Sequence, residues 1–248
     1  MELGLIRHAT LRVDVAGLAL LVDPMLAPAG AYDPVAGTAN PRRNPLVDLP
    51  MPAPDVVDRL DGVLVTHLHN DHLDPVAVEL LDPGLPVACQ PGDEAALHGR
   101  GFRDVRPVDG AIDLAGVGVA RTGGRHGTGE IGERMGPVSG FVVRAPGEPV
   151  LYVAGDTIWC DEVEQALAEH DPDVVVVNSG AARFLEGDPI TMDADDVIAT
   201  ARAARGVVVA VHMEAMNHCA LTRAALRDAV AAAGVEVLIP ADGERLEL

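Results

Sequence analysis

The most informative segment of the chain reads Thr66-His67-Leu68-His69-Asn70-Asp71-His72-Leu73-Asp74 and directly follows an apolar run at 62–65. Four candidate metal ligands fall within it: His67, His69, Asp71 and His72. Side chains at positions i and i+2 of an extended backbone point to the same side, so the first two histidines can converge on one ion. Imidazoles and carboxylates suit zinc, manganese or iron. Burying four such groups only for packing would be costly, because each needs a polar partner. The segment therefore predicts a metal site.

Three further candidate ligands lie near the ends of other predicted strands. His126 lies in the glycine-rich stretch 123–129, Asp156 follows the apolar run at 150–153, and His212 follows the run at 207–211. Taken singly, His126 is an ordinary loop histidine, Asp156 a turn or cap residue, and His212 a core histidine. Taken together, they stand where strands deliver side chains to one edge. This placement favours a second set of metal ligands.

The pattern of apolar runs predicts the fold class. Runs at 62–65, 150–153, 174–177 and 207–211 are typical of strands buried on both faces, and 11–15 with 18–22 predicts a hairpin around Gly17. Helices are predicted at 75–81, at 162–169 after Asp161 as a cap, at 193–205, and at 221–233 before Gly234. Strands and helices mix throughout, so we expect an α/β layered protein with one domain over 1–248.

The segment 23–55 stands apart because it contains eight prolines and little periodicity. A segment of this length without regular structure is usually functional or part of an assembly. Two interpretations stay open: a lid or interface, and a surface meander held by proline. The Arg42-Arg43 pair within it is either an anion-binding pair or simply solvated.

Charge excludes several classes of partner. The 18 basic and 38 acidic residues give a net charge of −20, which argues against nucleic acid and anionic membranes as partners. No lysine occurs in the sequence, so P-loop and Schiff-base chemistry are excluded. A small-molecule substrate is expected, and a homo-oligomer stays open. Six arginines are available to an anionic substrate, although the sequence assigns none to a pocket: Arg7, Arg42, Arg43, Arg125, Arg134 and Arg183.

Cysteine usage and the first residues indicate the compartment. Cys89, Cys160 and Cys219 are far apart and form no CxxC pair, which predicts neither disulfides nor a thiolate zinc site. The chain shows no signal-peptide pattern and no run of about 18 apolar residues. We therefore expect a cytoplasmic protein.

The ligand pattern resembles that of the metallo-β-lactamase superfamily over essentially the whole chain. The HxHxDH signature of that family corresponds to residues 67–72, and its later motifs correspond to His126, Asp156 and His212. The resemblance implies an αβ/βα four-layer sandwich, in which two mixed β-sheets are flanked by helices and the metals lie at one edge. It also implies two divalent ions, zinc or alternatively manganese. One ion would be held by His67, His69 and His126, the other by Asp71, His72 and His212, and Asp156 would bridge them.

Two details refine the resemblance. Members with glutamate at the second position of the first motif are di-iron redox proteins, whereas His69 favours the hydrolytic branch. The chain is further similar to the branch that contains L-ascorbate-6-phosphate lactonase, through His8-Ala9-Thr10, Val22-Asp23-Pro24, Gly155-Asp156-Thr157 and Thr191-Met192.

The resemblance implies a dinuclear metal-dependent hydrolase that opens a lactone or ester of a small polar molecule through a metal-bridging hydroxide. A phosphodiesterase acting at the same site is the alternative. A non-catalytic metal-binding or regulatory protein is the alternative from another class.

Four residues have predicted roles beyond metal binding. Asp71 is expected to orient the nucleophile or accept its proton as well as bind metal. His218 is expected to stabilise an oxyanion or protonate a leaving group, with a cap of the helix from 221 or replacement of His212 as ligand as the alternatives. His8 is a pocket residue, a partner of a ligand or a buried histidine. Glu214 either orients a ligand histidine or faces solvent.

Overall fold

The computed structural model describes residues 1–114 and 116–248, and within them the strands form two mixed sheets. The strands are β1 (Glu2–Arg7), β2 (Thr10–Val15), β3 (Leu18–Val22), β4 (Gly62–Val65), β5 (Pro86–Cys89), β6 (Asp104–Pro107), β7 (Ala111–Leu114), β8 (Val117–Thr122), β9 (Gly140–Arg144), β10 (Leu151–Val153), β11 (Val174–Asn178), β12 (Val207–Val211) and β13 (Arg245–Glu247). The first sheet has the order β13-β1-β2-β3-β4-β5-β6, and the second has the order β12-β11-β10-β9-β8-β7.

Both sheets combine parallel and antiparallel pairs. Strands β3 to β6 are parallel in the first sheet, and β10 to β12 are parallel in the second. The predicted hairpin is confirmed, since β2 pairs antiparallel with β3 and Gly17 in its turn has φ +79°. Because parallel strands end at the same edge of a sheet, the segments that follow them meet there.

Helices cover the outer faces of both sheets. The helices are α1 (Ala53–Val56), α2 (Pro75–Leu80), α3 (Glu94–Gly99), α4 (Gly129–Met135), α5 (Asp161–His170), α6 (Ala194–Ala203) and α7 (Arg223–Ala233). One buried cluster draws on strands of both sheets, a second joins the second sheet to α5, α6 and α7, and a third joins the first sheet to α1, α2 and α3. This arrangement confirms the predicted α/β fold of two mixed sheets flanked by helices.

Strand β11 shows why its run is apolar at every position. Val174 and Val176 pack in the cluster between the sheets, whereas Val175 and Val177 pack against the helices. A strand with both faces covered has no solvent side on which to place polar residues. The prediction of doubly buried strands is thus confirmed here.

The helix ends confirm two predicted signals and correct two others. Pro75 is the first residue of α2 after Asp74, and Gly234 ends α7 in the left-handed region. Asp161 is not a cap but the first residue of α5, where its carboxylate favours the positive end of the helix dipole. Helix α7 starts at Arg223 after Thr222, which caps it, and not at 221. The Thr222 cap leaves no capping role for His218.

Arg7 anchors the proline-rich segment to the first sheet. Its buried guanidinium donates hydrogen bonds to the carbonyl groups of Met25, Ala27 and Val47. Burial lowers the pKa of Arg7, but its three carbonyl partners suit a cation. The segment therefore follows a fixed path across the molecule, although it contains little regular structure besides α1.

None of the helices in the described residues combines the length and apolar character needed to cross a bilayer.

Candidate metal centre and substrate cavity

The predicted ligands come together at the edge where the strands of both sheets end. His67 follows β4, Asp156 follows β10, and His212 follows β12 directly. His126 lies in the loop after β8. Gly155 has φ +71°, and a Cβ there would lie 2.6 Å from the Ser139 carbonyl oxygen. Only glycine fits this position, so Gly155 fixes the turn that aims Asp156 at the site.

The ligand atoms form two groups joined by one carboxylate. His67, His69 and His126 form one group, and Asp71, His72, His212 and also His8 form the other. Asp156 is grouped with His67 and His72, one residue from each set. The structure thus assembles in two clusters every residue that the sequence predicted as a metal ligand.

The separations between ligand atoms fit a shared coordination sphere. His67 Nε2 lies 3.0 Å from His69 Nδ1, and the Asp156 carboxylate lies 3.3 Å from the Nε2 atoms of His72 and His212 and 3.5 Å from that of His126. Two ligands of one first-row metal ion lie roughly 3–4 Å apart, given metal–ligand distances near 2 Å. The buried Nε2 atoms of His72 and His212 also make no hydrogen bond in the described part of the chain. The cluster can therefore hold metal ions.

The electrostatics favour the protonation states that bind metal. Burial lowers the pKa of His67 and His212 well below the ordinary value. Burial would raise the pKa of Asp156, but His212, His72 and His126 outweigh it and hold that pKa well below its usual range. Neutral imidazoles and ionised carboxylates are the forms that coordinate a metal.

His72 is the exception in this cluster. Burial opposes its charged form, yet the carboxylates of Asp156 and Asp23 hold its pKa well above the ordinary value. Its Nδ1 atom donates a hydrogen bond to Asp23 Oδ2 at 2.8 Å. A cation bound beside Nε2 would replace the charge that a proton supplies here.

Residues behind the ligands were not identified as functional from the sequence. Asp23 also accepts hydrogen bonds from the Thr66 N–H and hydroxyl, and Asn178 donates one to Asp156 Oδ1 at 2.7 Å. His126 Nδ1 donates to the Ile190 carbonyl at 2.7 Å. Such partners fix the ring orientation of ligands. Asp23 directly follows β3, so the strand-end rule that identified Asp156 could have identified it as well.

We expect Asp23→Asn to weaken binding at the position served by His72 by about 10–100-fold, as is typical when such a partner is lost. The asparagine keeps the size of the side chain but removes the charge beside His72 Nδ1. Metal titration with calorimetric detection measures the effect. The matched control is Asp58→Asn, a carboxylate with 61% exposure that pairs with Arg59 at the surface. Equal affinity in the two variants would contradict the prediction.

Two residues with open roles now have observed contacts. Glu214 neither orients a ligand nor simply faces solvent, because its carboxylate binds Arg223 at 2.8 Å and accepts the Arg223 N–H at the start of α7. His218 is buried at the cavity, and its Nδ1 atom has no hydrogen-bond partner within the described residues.

All three cysteines are free, as predicted, and Cys219 Sγ lies 3.7 Å from His212 Nδ1.

A cavity of about 460 Å³ opens above the metal-binding cluster. Its floor contains histidines and carboxylates, and its walls are mainly apolar. The lining residues are Met25, Tyr32, Asp33, Val35, Asn44, His69, Asn70, Asp71, His126, Met135, Asp156, Phe184, Ile190, Met216 and His218. Among the described residues, no arginine lines this cavity. The proline-rich segment contributes five of these residues, from Met25 to Asn44, and this part of the lining is called the wall.

Asn217 holds this wall in place. Its side-chain N–H₂ donates to the Val35 and Asn40 carbonyls and to the Thr38 hydroxyl, and its carbonyl oxygen accepts from the Val35 N–H and the Asn44 amide. The Asn217 backbone N–H donates to Asn44 Oδ1. One buried amide thus ties the segment to the loop that carries His218.

We expect Asn217→Ala to lower the free energy of unfolding by about 2–4 kcal/mol, because several buried polar groups lose their partner. The metal content should stay unchanged, since Asn217 contacts no ligand. Denaturant unfolding and elemental analysis measure these quantities. The control is Gln165→Ala, an exposed amide that donates a hydrogen bond to Glu169 on the same helix and should change stability by less than about 0.5 kcal/mol. Equal free energies of unfolding for the wild type and Asn217→Ala would show that the Asn217 hydrogen bonds do not stabilise the protein.

Comparisons with known proteins agree with the site. Residues 20–213 match the family described as the Beta-lactamase superfamily domain. The chain is 37% identical to the UPF0173 protein YddR of Bacillus subtilis strain 168, with 98% of each chain covered.

Two solved structures cover the whole chain. A possible metal-dependent hydrolase from Veillonella parvula DSM 2008 is 33% identical with a TM-score of 0.96, and an isothiocyanate hydrolase from Delia radicum gut bacteria is 36% identical with a TM-score of 0.94. Each match covers 100% of this chain and 99% of the other. The narrower resemblance to the lactonase branch stays a prediction. The clustered His/Asp ligands, the two-sheet fold and these matches together establish that the chain belongs to the metallo-β-lactamase superfamily, among its metal-dependent hydrolases.

Proposed function

We propose that the protein hydrolyses a small uncharged molecule at an electrophilic carbon, and that isothiocyanates are the first substrate class to consider. One observation carries the proposal: an apolar cavity without a cationic side chain, among the described residues, lies directly above the metal-binding cluster. An apolar lining with few polar groups favours a ligand that is itself mostly apolar.

Apart from the divalent ions that the ligands would hold, the cavity offers no positive side chain, among the described residues, for an anionic substrate. Asp33, Asp71 and Asp156 line it, whereas a phosphate group is normally met by arginine or lysine. Arg7 is occupied by three backbone carbonyls, and the other five candidate arginines are exposed and do not line the cavity. Phosphodiesters and phosphorylated lactones are therefore weaker candidates than neutral molecules.

Isothiocyanates fit this description, and the isothiocyanate hydrolase that resembles the chain over its full length supports them. In R–N=C=S the central carbon is electrophilic and the molecule carries no charge. Water adds to this carbon, the C–N bond breaks, and the products are the amine R–NH₂ and carbonyl sulfide. Both hydrogens of the water end on nitrogen, so atoms and charge balance. Lactones and esters, the class that the family resemblance implies, offer a comparable neutral carbonyl carbon and are the second candidate.

The chain's own residues have distinct roles in this reaction. Bound divalent ions supply a Lewis acid and lower the pKa of water, which is the usual contribution of such centres. Asp71 faces the cavity and can orient the attacking water and accept its proton. His218 also faces the cavity, and burial lowers its pKa. This side chain can pass a proton to the leaving nitrogen or oxygen. The apolar wall holds the substituent R and keeps bulk water away from it.

We expect His218→Ala to lower kcat by about 10²–10⁴-fold, the usual contribution of a general acid or base. The metal content should not change, because His218 belongs to neither group of ligand atoms. Steady-state kinetics with metal analysis of the same sample tests this. A variant that loses both metal and activity would make His218 a ligand instead of an acid.

The proposal is tested with a panel of an arylalkyl isothiocyanate, a lactone, an aryl ester and an aryl phosphodiester, each with metal-loaded and metal-stripped protein. Metal-dependent release of amine from the isothiocyanate is the expected result. Turnover confined to the lactone or ester would replace the first class by the second, and cleavage of the phosphodiester alone would overturn the charge argument. No turnover of any substrate by protein with two bound metals would favour the non-catalytic alternative.

A further inference from the structure

His8 lies in the short connection between β1 and β2 and points into the metal-binding cluster. Its side chain is completely buried, although it lies outside both the HxHxDH segment and the later motifs. Its φ is +62°, in the left-handed region, which residues other than glycine seldom adopt. Strained residues of this kind concentrate at functional sites.

His8 contacts two ligands of the same group. Its Nε2 atom donates a hydrogen bond to Asp71 Oδ2 at 3.3 Å. Its ring lies against the ring of His212, with 3.6 Å between centroids and 36° between planes. Its backbone carbonyl also accepts the His212 N–H at 2.9 Å. One residue thus holds Asp71, which comes from the first sheet, and His212, which comes from the second.

We infer that His8 is a positioning residue. It holds the Asp71 carboxylate and the His212 ring in place for the second metal position, which is the one served by Asp71, His72 and His212. This inference rests on the metal dependence in the proposed function, and it does not depend on the identity of the substrate. Asp71 and His212 follow strands of different sheets, so no local backbone pattern fixes the distance between them. A side chain that contacts both can fix this distance.

Ring geometry distinguishes this role from direct ligation by His8. Apart from His8, the histidine pairs within one ligand group have ring-centroid separations of 4.5 Å (His67–His69), 5.3 Å (His69–His126), 5.4 Å (His67–His126) and 5.5 Å (His72–His212). The His8–His212 separation of 3.6 Å is much shorter. Rings that radiate from one ion diverge, whereas rings this close lie one on the other. His8 therefore packs against the His212 ring and does not share an ion with it.

Three substitutions separate the two contacts. His8→Gln keeps an amide donor for Asp71 but removes the ring, His8→Phe keeps the ring against His212 but removes the donor, and His8→Ala removes both. The matched control is His170→Ala at the end of α5, far along the chain from the cluster. Circular dichroism confirms that each variant is folded. Zinc titration against a chelator then gives the affinity of each metal position, and Co²⁺ absorption reports the coordination.

We expect His8→Ala to lose about 10–100-fold in affinity for the second metal only, with the first metal unaffected. The Gln and Phe variants should each recover part of this loss. Wild-type affinity at both positions in the Ala variant would overturn the inference. A loss of one nitrogen donor in the Co²⁺ spectrum of the Phe variant at full occupancy would also overturn it, because His8 would then be a ligand. Failure of the wild-type protein to bind two metals would refute the dinuclear site itself, which is a distinguishable result.

Discussion

Replacing Asp156 with alanine is expected to lower kcat/KM by at least about 10³-fold and to remove at least one metal ion from each chain. The Asp156 carboxylate lies within 4.0 Å of ring nitrogens from both ligand groups, those of His67, His72, His126 and His212. Metal ions typically contribute several kcal/mol to transition-state stabilisation, and each 1.4 kcal/mol corresponds to about tenfold in rate. Losing the shared carboxylate should therefore affect both positions at once. Elemental analysis and kinetics on the same preparation measure the two effects.

Two further variants make this result interpretable. Asp156→Asn keeps the size of the side chain and removes the charge, so it separates electrostatics from packing. Asp161→Ala removes a surface carboxylate with 91% exposure at the start of α5 and should match the wild type in metal content and activity. An Asp156→Ala protein that keeps two metals and its activity would refute the bridging role.

Removing the metals with a chelator is expected to lower the midpoint of thermal unfolding by roughly 10 °C for each ion. A ligand bound only by the folded state at a thousand times its Kd contributes about 4 kcal/mol, and 1 kcal/mol corresponds to about 2–4 °C in a chain of this size. The buried His72 and His212 Nε2 atoms make no hydrogen bond in the described residues, so without metal only the Asp156 carboxylate, 3.3 Å from each, compensates their burial. Scanning calorimetry with and without chelator measures the shift.

The Asp156→Ala variant serves as the control for the chelation experiment. Its midpoint should respond less to chelator than that of the wild type, because it has fewer ions to lose. Restoring zinc should restore the wild-type midpoint. If chelator removes all metal from the wild type but leaves its midpoint of thermal unfolding unchanged, the metals do not stabilise the fold.

The ligands could be predicted from sequence because local patterns locate them: the HxHxDH segment holds four of them, and a strand-end rule applies to three. A polar residue that closely follows a doubly buried strand is delivered to the sheet edge, and His67, Asp156 and His212 obey this rule. Helix starts were less reliable. The sequence predicts Asp161 as the cap of α5, but Cys160 holds that position, and the helix predicted from 221 begins at Arg223 after its cap Thr222.

Contacts between distant segments could not be predicted in the same way. His8 binds a residue 63 positions further along the chain, and Asn217 binds Asn44 across 173 positions. These pairings depend on how the two sheets dock and on the path of the proline-rich segment, and a single sequence carries no periodic signal for either. The apolar character of the cavity walls arises in the same way, from Met25, Phe184 and Met216 brought together by the fold.

The hydrogen bonds between Asn217 and the wall of the cavity also bear on which positions of this wall can change. The segment leaves the scaffold just after Asp23 and rejoins it at α1, and both points are fixed by contacts that do not involve the substrate. Between these points Arg7 and Asn217 hold the segment mainly through its backbone groups, so its cavity-lining side chains can change while its path and the metal ligands stay the same. Substitutions at these lining positions would therefore change the shape of the cavity without rebuilding the metal centre.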